Sequence, residues 1–199
     1  LGVERLDYSK GLPQRLKAFE ALLKKYPENL RSATLIQIAA PSREDMGTYT
    51  DLLQELESLC GATNGNFGEL DWMPIRYIHR NVSRKRLPGL YRVACVALVT
   101  PLRDGMNLVA KEFIAAQDPA DPGVLVLSRF AGAAEQLEDA LLVNPYDIDG
   151  TADTIQRALQ MPLEERQARH QKLLKNIREK DVHWWRREFL DALGYEGPA

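Results

Sequence analysis

The sequence is poor in cysteine and histidine, with two cysteines and three histidines among 199 residues. His79, His170 and His183 have neither a second histidine nor a cysteine at metal-ligand spacing, so no metal site is predicted. The two isolated cysteines are typical of a reducing, cytoplasmic setting. Cys95 stands in an apolar run and is expected to be a small core residue.

Long apolar runs and an excess of one charge are also missing. No run approaches the roughly 20 residues of a membrane span. The formal net charge of −2 gives no general basic field for nucleic acid or an anionic membrane, so any phosphate site must be local. The first five residues lack a signal-peptide pattern and begin as if inside a strand, which predicts a fragment of a longer protein.

Short apolar runs typical of buried parallel strands alternate with segments of helical periodicity. The strands are expected at residues 3–5, 33–40, 75–78, 94–99, 124–127 and 141–143. This alternation predicts an α/β fold, a Rossmann-like doubly wound parallel sheet in one domain over residues 1–199, with C-terminal helices over 163–193. Residues 64–68 are interpreted as a turn-rich connection, and a helix is expected near Glu135.

The most informative stretch is a strand, a polar turn and a helix over residues 94–116. Gly105 is expected to let the backbone turn sharply and approach a ligand. The amides of Gly105, Met106 and Asn107, together with the helix dipole, predict an anion site. Asp104 and Glu112 are eight residues apart, so both carboxylates are placed to reach one ligand, although an ordinary surface charge at Glu112 fits the pattern equally well.

Polar or glycine-bearing loops follow the strands that end at residues 5, 40, 99 and 127. In a parallel sheet these loops share the carboxyl edge, where ligands bind. Arg5 and Lys10 flank the first loop. They are either solvated loop charges or a clamp on a diphosphate, since arginine offers a bidentate fork and lysine a point charge.

Three segments, residues 3–11, 39–43 and 101–112, resemble motifs of the trehalose-6-phosphate synthase family. That family consists of retaining GT-B glucosyltransferases with two facing Rossmann-like domains. The resemblance covers nearly the whole chain and implies the C-terminal, nucleotide-sugar-binding domain, with the N-terminal acceptor domain absent. It implies that the final helix packs on that other domain, so that Trp184, Trp185 or both are exposed here.

The resemblance also implies roles for individual residues. Arg5 and Lys10 would hold the donor pyrophosphate, Asp104 the glucose hydroxyls, and Glu112 the ribose hydroxyls. Val82 stands at a position that meets the uracil ring, where the family often has phenylalanine, and Arg43 at the position that contacts the acceptor phosphate. The full set expected to meet the donor UDP-glucose is Arg5, Lys10, Val82, Asp104, Gly105, Met106, Asn107, Leu108, Val109, Ala110, Lys111 and Glu112.

The activity implied is transfer of glucose from UDP-glucose to glucose 6-phosphate with retention, giving trehalose 6-phosphate and UDP without a metal or cofactor. This fragment alone is expected to be inactive. Three alternatives stay open: a glucosylglycerol-phosphate synthase, a catalytically inactive nucleotide-sugar-binding regulatory domain, and a plain α/β interaction module. The partners expected are the two small substrates and the missing domain, and a homo-oligomer is left open.

Overall fold

Residues 1–41 and 49–194 are described by the structure, a computed structural model. Strands and α-helices alternate along this part of the chain, which confirms the α/β prediction. The strands are β1 (Gly2–Arg5), β2 (Leu35–Ala40), β3 (Ile75–Ile78), β4 (Val96–Val99), β5 (Val124–Ser128) and β6 (Leu141–Val143). The α-helices are α1 (Leu12–Lys25), α2 (Thr50–Phe67), α3 (Leu87–Val93), α4 (Leu108–Ala116), α5 (Ile148–Leu159), α6 (Leu163–Glu179) and α7 (Val182–Ala192).

The strands pair in parallel in two sets, β1-β2-β3 and β4-β5-β6. Two hydrogen bonds join the sets. The Leu1 amino group donates to the Val96 carbonyl at 2.8 Å, and the Leu98 amide donates to the Leu1 carbonyl at 2.8 Å. The spatial order is therefore 3-2-1-4-5-6, which is the doubly wound arrangement that the sequence predicts. Its switch point lies between β1 and β4.

Both faces of the sheet are covered. Along β5, Val124 and Val126 belong to one hydrophobic cluster, whereas Leu125 and Leu127 belong to another on the opposite face. This alternation follows from the period of two in a strand. A strand that is buried on both faces consists of a continuous run of apolar residues, and this is why the strands could be located from the sequence.

Two local predictions are wrong. Residues 64–68 do not form a turn, because α2 continues to Phe67 and its Asn64 side chain bonds both main-chain groups of Ile75 at 2.9 and 3.0 Å. This tertiary contact outweighs the turn preference of the two glycines. Cys95 is exposed rather than in the core, because β4 begins only at Val96 and Cys95 precedes it at the amino edge of the sheet.

The remaining helical expectations are largely met. The chain near Glu135 forms only a short 3₁₀ turn, Gly132–Glu135, while α6 and α7 follow the predicted C-terminal pattern. Trp185 is 47% exposed and Trp184 is half-buried, so the expected exposure is confirmed. None of the helices among residues 1–41 and 49–194 has the length and apolar character needed to cross a membrane.

Candidate functional site

Two loops meet at the switch point of the sheet. The loop after β1 and the loop after β4 are joined by a hydrogen bond from the Leu102 amide to the Ser9 carbonyl at 2.7 Å. Gly11 has a φ of 64°, and a side chain there would collide with the Thr100 carbonyl. A glycine is needed at this point for the backbone angle and for the close approach of the loops.

A pair of opposite charges lies where these loops meet. The Lys10 Nζ donates to Asp104 Oδ2 at 2.7 Å, and the Asn107 side-chain amide donates to the same oxygen at 3.0 Å. Desolvation opposes ionisation of Asp104, but the hydrogen bonds and charge of Lys10, with smaller contributions from Asn107 and the Met106 amide, hold its pKa below the ordinary value. The sequence predicted both charged residues, and the structure brings them into direct contact across 94 positions.

The start of α4 is more fully satisfied than the sequence indicated. Asn107, with a φ of 80°, caps the helix by accepting from the Ala110 amide at 3.1 Å. The Met106 amide lies near enough to the Asp104 carboxylate to help lower the pKa of that group. Leu108 and Val109 are the first residues of the helix, and their amides precede the intrahelical ladder. The cap therefore satisfies the Ala110 amide within the protein, while an anion at this end could reach the amides of Leu108 and Val109.

A third loop, after β5, supports the Asp104 turn. The Asp104 amide donates to the Phe130 carbonyl at 3.2 Å, and the Gly132 amide donates back to the Asp104 carbonyl at 3.0 Å. Gly132 packs so closely on the Gly105 carbonyl that a side chain would not fit there. By contrast, the space above Gly105 itself is open. The sequence interpretation expected Gly105 to approach a ligand, for which this open space leaves room, and it gave no role to Gly132.

Glu112 lies on the second turn of α4 and is exposed, and Asp104 precedes the helix rather than sharing it. The Tyr91 hydroxyl donates to Glu112 Oε2 at 3.3 Å. The side chain of Lys111 turns away to Gln136, with an Nζ to Oε1 distance of 2.7 Å, and burial together with the charge of Lys180 lowers its pKa. Any ligand contact of Lys111 would therefore run through its backbone, as the resemblance implies.

The other predicted residues are more scattered. Arg5 is exposed at the end of β1 and makes no ion pair within residues 1–41 and 49–194. Val82 is half-buried in the loop after β3 and lines a surface pocket with Arg80 and Arg86. Strand β3 lies two strands from β1, which corresponds to about 10 Å. Arg43 lies outside the described residues.

A buried polar network beneath the two loops was missed by the sequence interpretation. Arg15, only 1% exposed, binds Glu4 at 2.6 Å, Thr100 at 2.9 Å and Gln37 at 3.1 Å. A signal for it does exist in the sequence. Arg15 falls on the apolar face of α1, between Leu12 and Leu16, where a charge requires a buried partner.

Comparison with known sequences gives a consistent result. The sequence model of glycosyltransferase family 20 matches residues 1–195. The trehalose-6-phosphate synthase of Klebsiella pneumoniae subsp. pneumoniae is 54% identical over 98% of this chain and 41% of its own length. The enzyme of the same name from Sinorhizobium fredii is 54% identical over 97% of this chain and 42% of its own length. The chain thus spans about two-fifths of these relatives.

Solved structures agree with the sequence comparison. An alpha,alpha-trehalose-phosphate synthase (UDP-forming) from Burkholderia xenovorans, in complex with glucose-6-phosphate, superposes with a TM-score of 0.93 at 55% identity, covering 98% of this chain and 43% of that one. A protein from E. coli bound with UDP-2-fluoro glucose gives a TM-score of 0.94 at 52% identity, covering all of this chain and 44% of that one. With a family match over nearly its full length and relatives above 50% identity, the chain belongs to glycosyltransferase family 20.

Proposed function

We propose that this chain is the nucleotide-sugar-binding part of a UDP-forming trehalose-6-phosphate synthase. The observation that carries the proposal is the juxtaposition of Lys10 and Asp104 at the switch point, beside the start of α4. Ligands of doubly wound sheets bind at this crevice. The names of the relatives, and the UDP-2-fluoro glucose bound to one of them, support a UDP-sugar donor.

The two cations would act on the donor diphosphate. Arg5 makes no ion pair in the described part of the chain, and its guanidinium could donate two hydrogen bonds to one phosphate. Lys10, across the loop, would provide a single positive charge. The amides at the start of α4 face the same edge. Negative charge develops on UDP as it leaves, and fixed positive groups at that place lower the barrier. Asp104, which forms an ion pair with Lys10, would accept hydrogen bonds from the glucose hydroxyls.

The remaining residues would fix the rest of the two substrates. Glu112 would accept from the ribose hydroxyls, Val82 would contact the uracil ring through its backbone, and the backbone of residues 105–111 would line the sugar and the diphosphate. Arg43 would contact the phosphate of glucose 6-phosphate. The acceptor hydroxyl attacks the anomeric carbon on the face from which UDP departs, and a donor phosphate oxygen takes its proton. The bond from the anomeric carbon to UDP breaks as the new glycosidic bond forms.

In this proposal residues 1–199 form the donor domain, and the acceptor domain lies in the remainder of a longer protein. No group of three or more potential metal ligands is assembled among the described residues, and transfer without a metal or cofactor is part of the proposal. A sister enzyme that uses glycerol 3-phosphate would share the donor site, so only the acceptor assay separates the two. A cytoplasmic location completes the proposal.

The direct test is calorimetric titration of the chain with UDP, GDP and ADP. We expect UDP to bind most tightly, and we expect no UDP release from UDP-glucose and glucose 6-phosphate by the chain alone. Glucose 6-phosphate and glycerol 3-phosphate should then be compared as acceptors with the full-length protein. Absence of binding by all three nucleotides would overturn the donor-site proposal, and clear turnover by the chain would overturn the requirement for a second domain.

A further inference from the structure

The Arg15 guanidinium is a buried cation that the proposed chemistry does not use. It comes from α1, yet all of its hydrogen bonds go to other parts of the fold. Its Nη1 donates to Glu4 Oε2 at 2.6 Å and to Gln37 Oε1 at 3.1 Å, and its Nε donates to Thr100 Oγ1 at 2.9 Å. The Gln37 side-chain amide binds the same Glu4 oxygen at 3.2 Å.

Stability alone is a poor reason for such a network. Burying an ion pair costs several kcal/mol of desolvation for each ion, and apolar side chains of similar volume often replace such pairs without loss. The fold also makes room for the network, because a side chain at Gly2 would collide with Gln37 and Arg15. The other Glu4 oxygen, Oε1, is buried without a hydrogen-bond partner among the described residues.

The partners of Arg15 lie directly beneath the candidate site. Its Nη2 is 3.4 Å from the Lys10 carbonyl oxygen, a weak contact that nonetheless places the guanidinium under the Lys10 turn. Thr100 is the first residue after β4 and opens the loop that carries Asp104. Glu4 directly precedes Arg5. Arg15 therefore contacts the first part of both loops: its partner Glu4 directly precedes Arg5, its partner Thr100 begins the loop that carries Asp104, and its Nη2 approaches the Lys10 carbonyl.

We propose that Arg15 is a positioning residue that sets the loop after β1 against the loop after β4, so that Lys10 and Asp104 meet at hydrogen-bond distance. The expected effect on catalysis rests on the proposed function, whereas the geometry of the contact does not. The side chains of Lys10 and Asp104 are each about one-sixth exposed, and they stand 94 positions apart in the sequence on different loops. Their 2.7 Å contact therefore depends on how the first residues of the two loops are held relative to each other. Arg15 does not touch the substrate in this scheme.

The test uses Glu4→Gln/Arg15→Met, which removes both buried charges and leaves no unpaired carboxylate. The first readout is an NMR titration of the Asp104 carboxyl group, which does not depend on any ligand. We expect the Asp104 pKa to rise toward that of an ordinary aspartate, because Lys10 would no longer be held against it. The second readout is UDP affinity, which should fall about tenfold.

A double-mutant cycle with Lys10→Ala separates positioning from general damage. If Arg15 acts through Lys10, adding Lys10→Ala to the Glu4→Gln/Arg15→Met variant should cost UDP affinity far less than it costs the unmodified chain. Thr100→Val serves as a milder second variant, since it removes only the acceptor of the Arg15 Nε. We expect it to shift the Asp104 pKa in the same direction by a smaller amount.

The matched control is Asn29→Leu, which breaks another buried polar pair, Asn29 with Gln156 at 2.6 Å, near the far end of α1. It should lower stability without changing the Asp104 pKa or UDP affinity. An unchanged Asp104 pKa in both network variants, or fully additive losses of affinity, would overturn the proposal. If the unmodified chain binds no UDP but the Asp104 pKa still responds, the proposed function fails and the positioning role stands.

Discussion

At the scale of single residues, the candidate site depends on one oxygen of Asp104. That oxygen accepts from Lys10 and from Asn107, so a sugar hydroxyl would join an existing network rather than find a free carboxylate. Such charge-assisted hydrogen bonds are stronger than neutral ones. Within residues 1–41 and 49–194, Arg5 makes no ion pair, whereas Lys10 is already partly neutralised by Asp104.

The lowered pKa of Asp104 predicts a pH-dependent contribution to stability. A carboxylate whose pKa is depressed by folding stabilises the native state above its unfolded pKa of about 3.9 and ceases to do so as the pH falls through its folded pKa. Asp104→Asn should therefore lower the free energy of unfolding by roughly 1–3 kcal/mol at pH 7. The difference from the unmodified chain should shrink on acidification.

Urea unfolding at pH 7, 5 and 3 would measure this difference. Asp191→Asn is the matched control, since Asp191 is exposed near the end of α7, far along the chain from the site. A gap between the unmodified chain and Asp104→Asn that stays constant at all three pH values would contradict the assignment of the stabilising charge to Asp104.

Under the proposed function, the donor cations Arg5 and Lys10 should differ in effect from the acceptor cation Arg43. Arg5→Ala and Lys10→Ala should each weaken UDP and UDP-glucose alike, because both ligands carry the diphosphate. The loss should shrink as salt rises, since exposed charges are screened over about 8 Å at physiological ionic strength. Arg43→Ala should leave UDP affinity intact. Titration of the three variants with UDP at two salt concentrations tests this prediction. An equal loss of UDP affinity in Arg43→Ala and Arg5→Ala would show that the assignment of separate donor and acceptor cations is mistaken.

At the scale of elements, α4 organises the site more than any other helix. Its cap residue Asn107 bonds to Asp104, and its second turn carries Glu112. Glu112 lies within the helix and Asp104 is bonded to its cap residue, so α4 sets the positions of both carboxylates. The adjacent helix α3 contributes Tyr91, whose hydroxyl donates to Glu112.

A ribose role for Glu112 predicts discrimination against 2′-deoxyribose. Glu112→Ala should weaken UDP binding by roughly 1–3 kcal/mol and abolish the preference for UDP over deoxy-UDP. Tyr91→Phe is the control, because it removes a 3.3 Å hydrogen bond to Glu112 but keeps the carboxylate. It should preserve the preference. Equal binding of UDP and deoxy-UDP by the unmodified chain would refute the ribose assignment.

The elements show what the sequence alone allows and what it does not. The strands and the Lys10 and Asp104 loops were predicted because buried strands, helix periodicity and strand ends leave local patterns. The helix through residues 64–67 and the Arg15 network were missed, because each depends on side-chain partners outside the local segment. The exposure of Cys95 was missed because an apolar run does not show at which residue the strand begins. Gly132 was missed because its role depends on Gly105 from another loop.

At the scale of the whole molecule, α7 leaves an apolar stripe uncovered. Val182, Trp185, Phe189 and Leu193 follow at intervals of three and four residues, and each is 47% to 69% exposed. The spacing places them on one face of the helix. A contiguous exposed apolar face usually marks an interface. Under the proposed function, the acceptor domain of the longer protein covers it.

This stripe should contribute to association and not to the stability of the chain. Replacing Trp185 and Phe189 by Gln should change the free energy of unfolding by less than about 0.5 kcal/mol for each residue. The binding of a hydrophobic dye should fall markedly. Leu163→Gln, at a similarly exposed apolar residue outside the stripe, is the control and should have little effect on dye binding. A large loss of stability on replacing Trp185 would show that the stripe already packs within the chain.

The bonds between β1 and β4 also determine when the site can form during folding. Leu1 pairs with Val96 and Leu98, and Lys10 with Asp104, so each contact closes a segment of about 95 residues. Contacts so distant in sequence carry a large loop-closure entropy and slow the search for the native state. Pairing the strands within each set closes shorter chain segments, so each set can assemble earlier. Under the proposed function, nucleotide affinity would then appear only when the two sets dock, making UDP a reporter of the final step of folding.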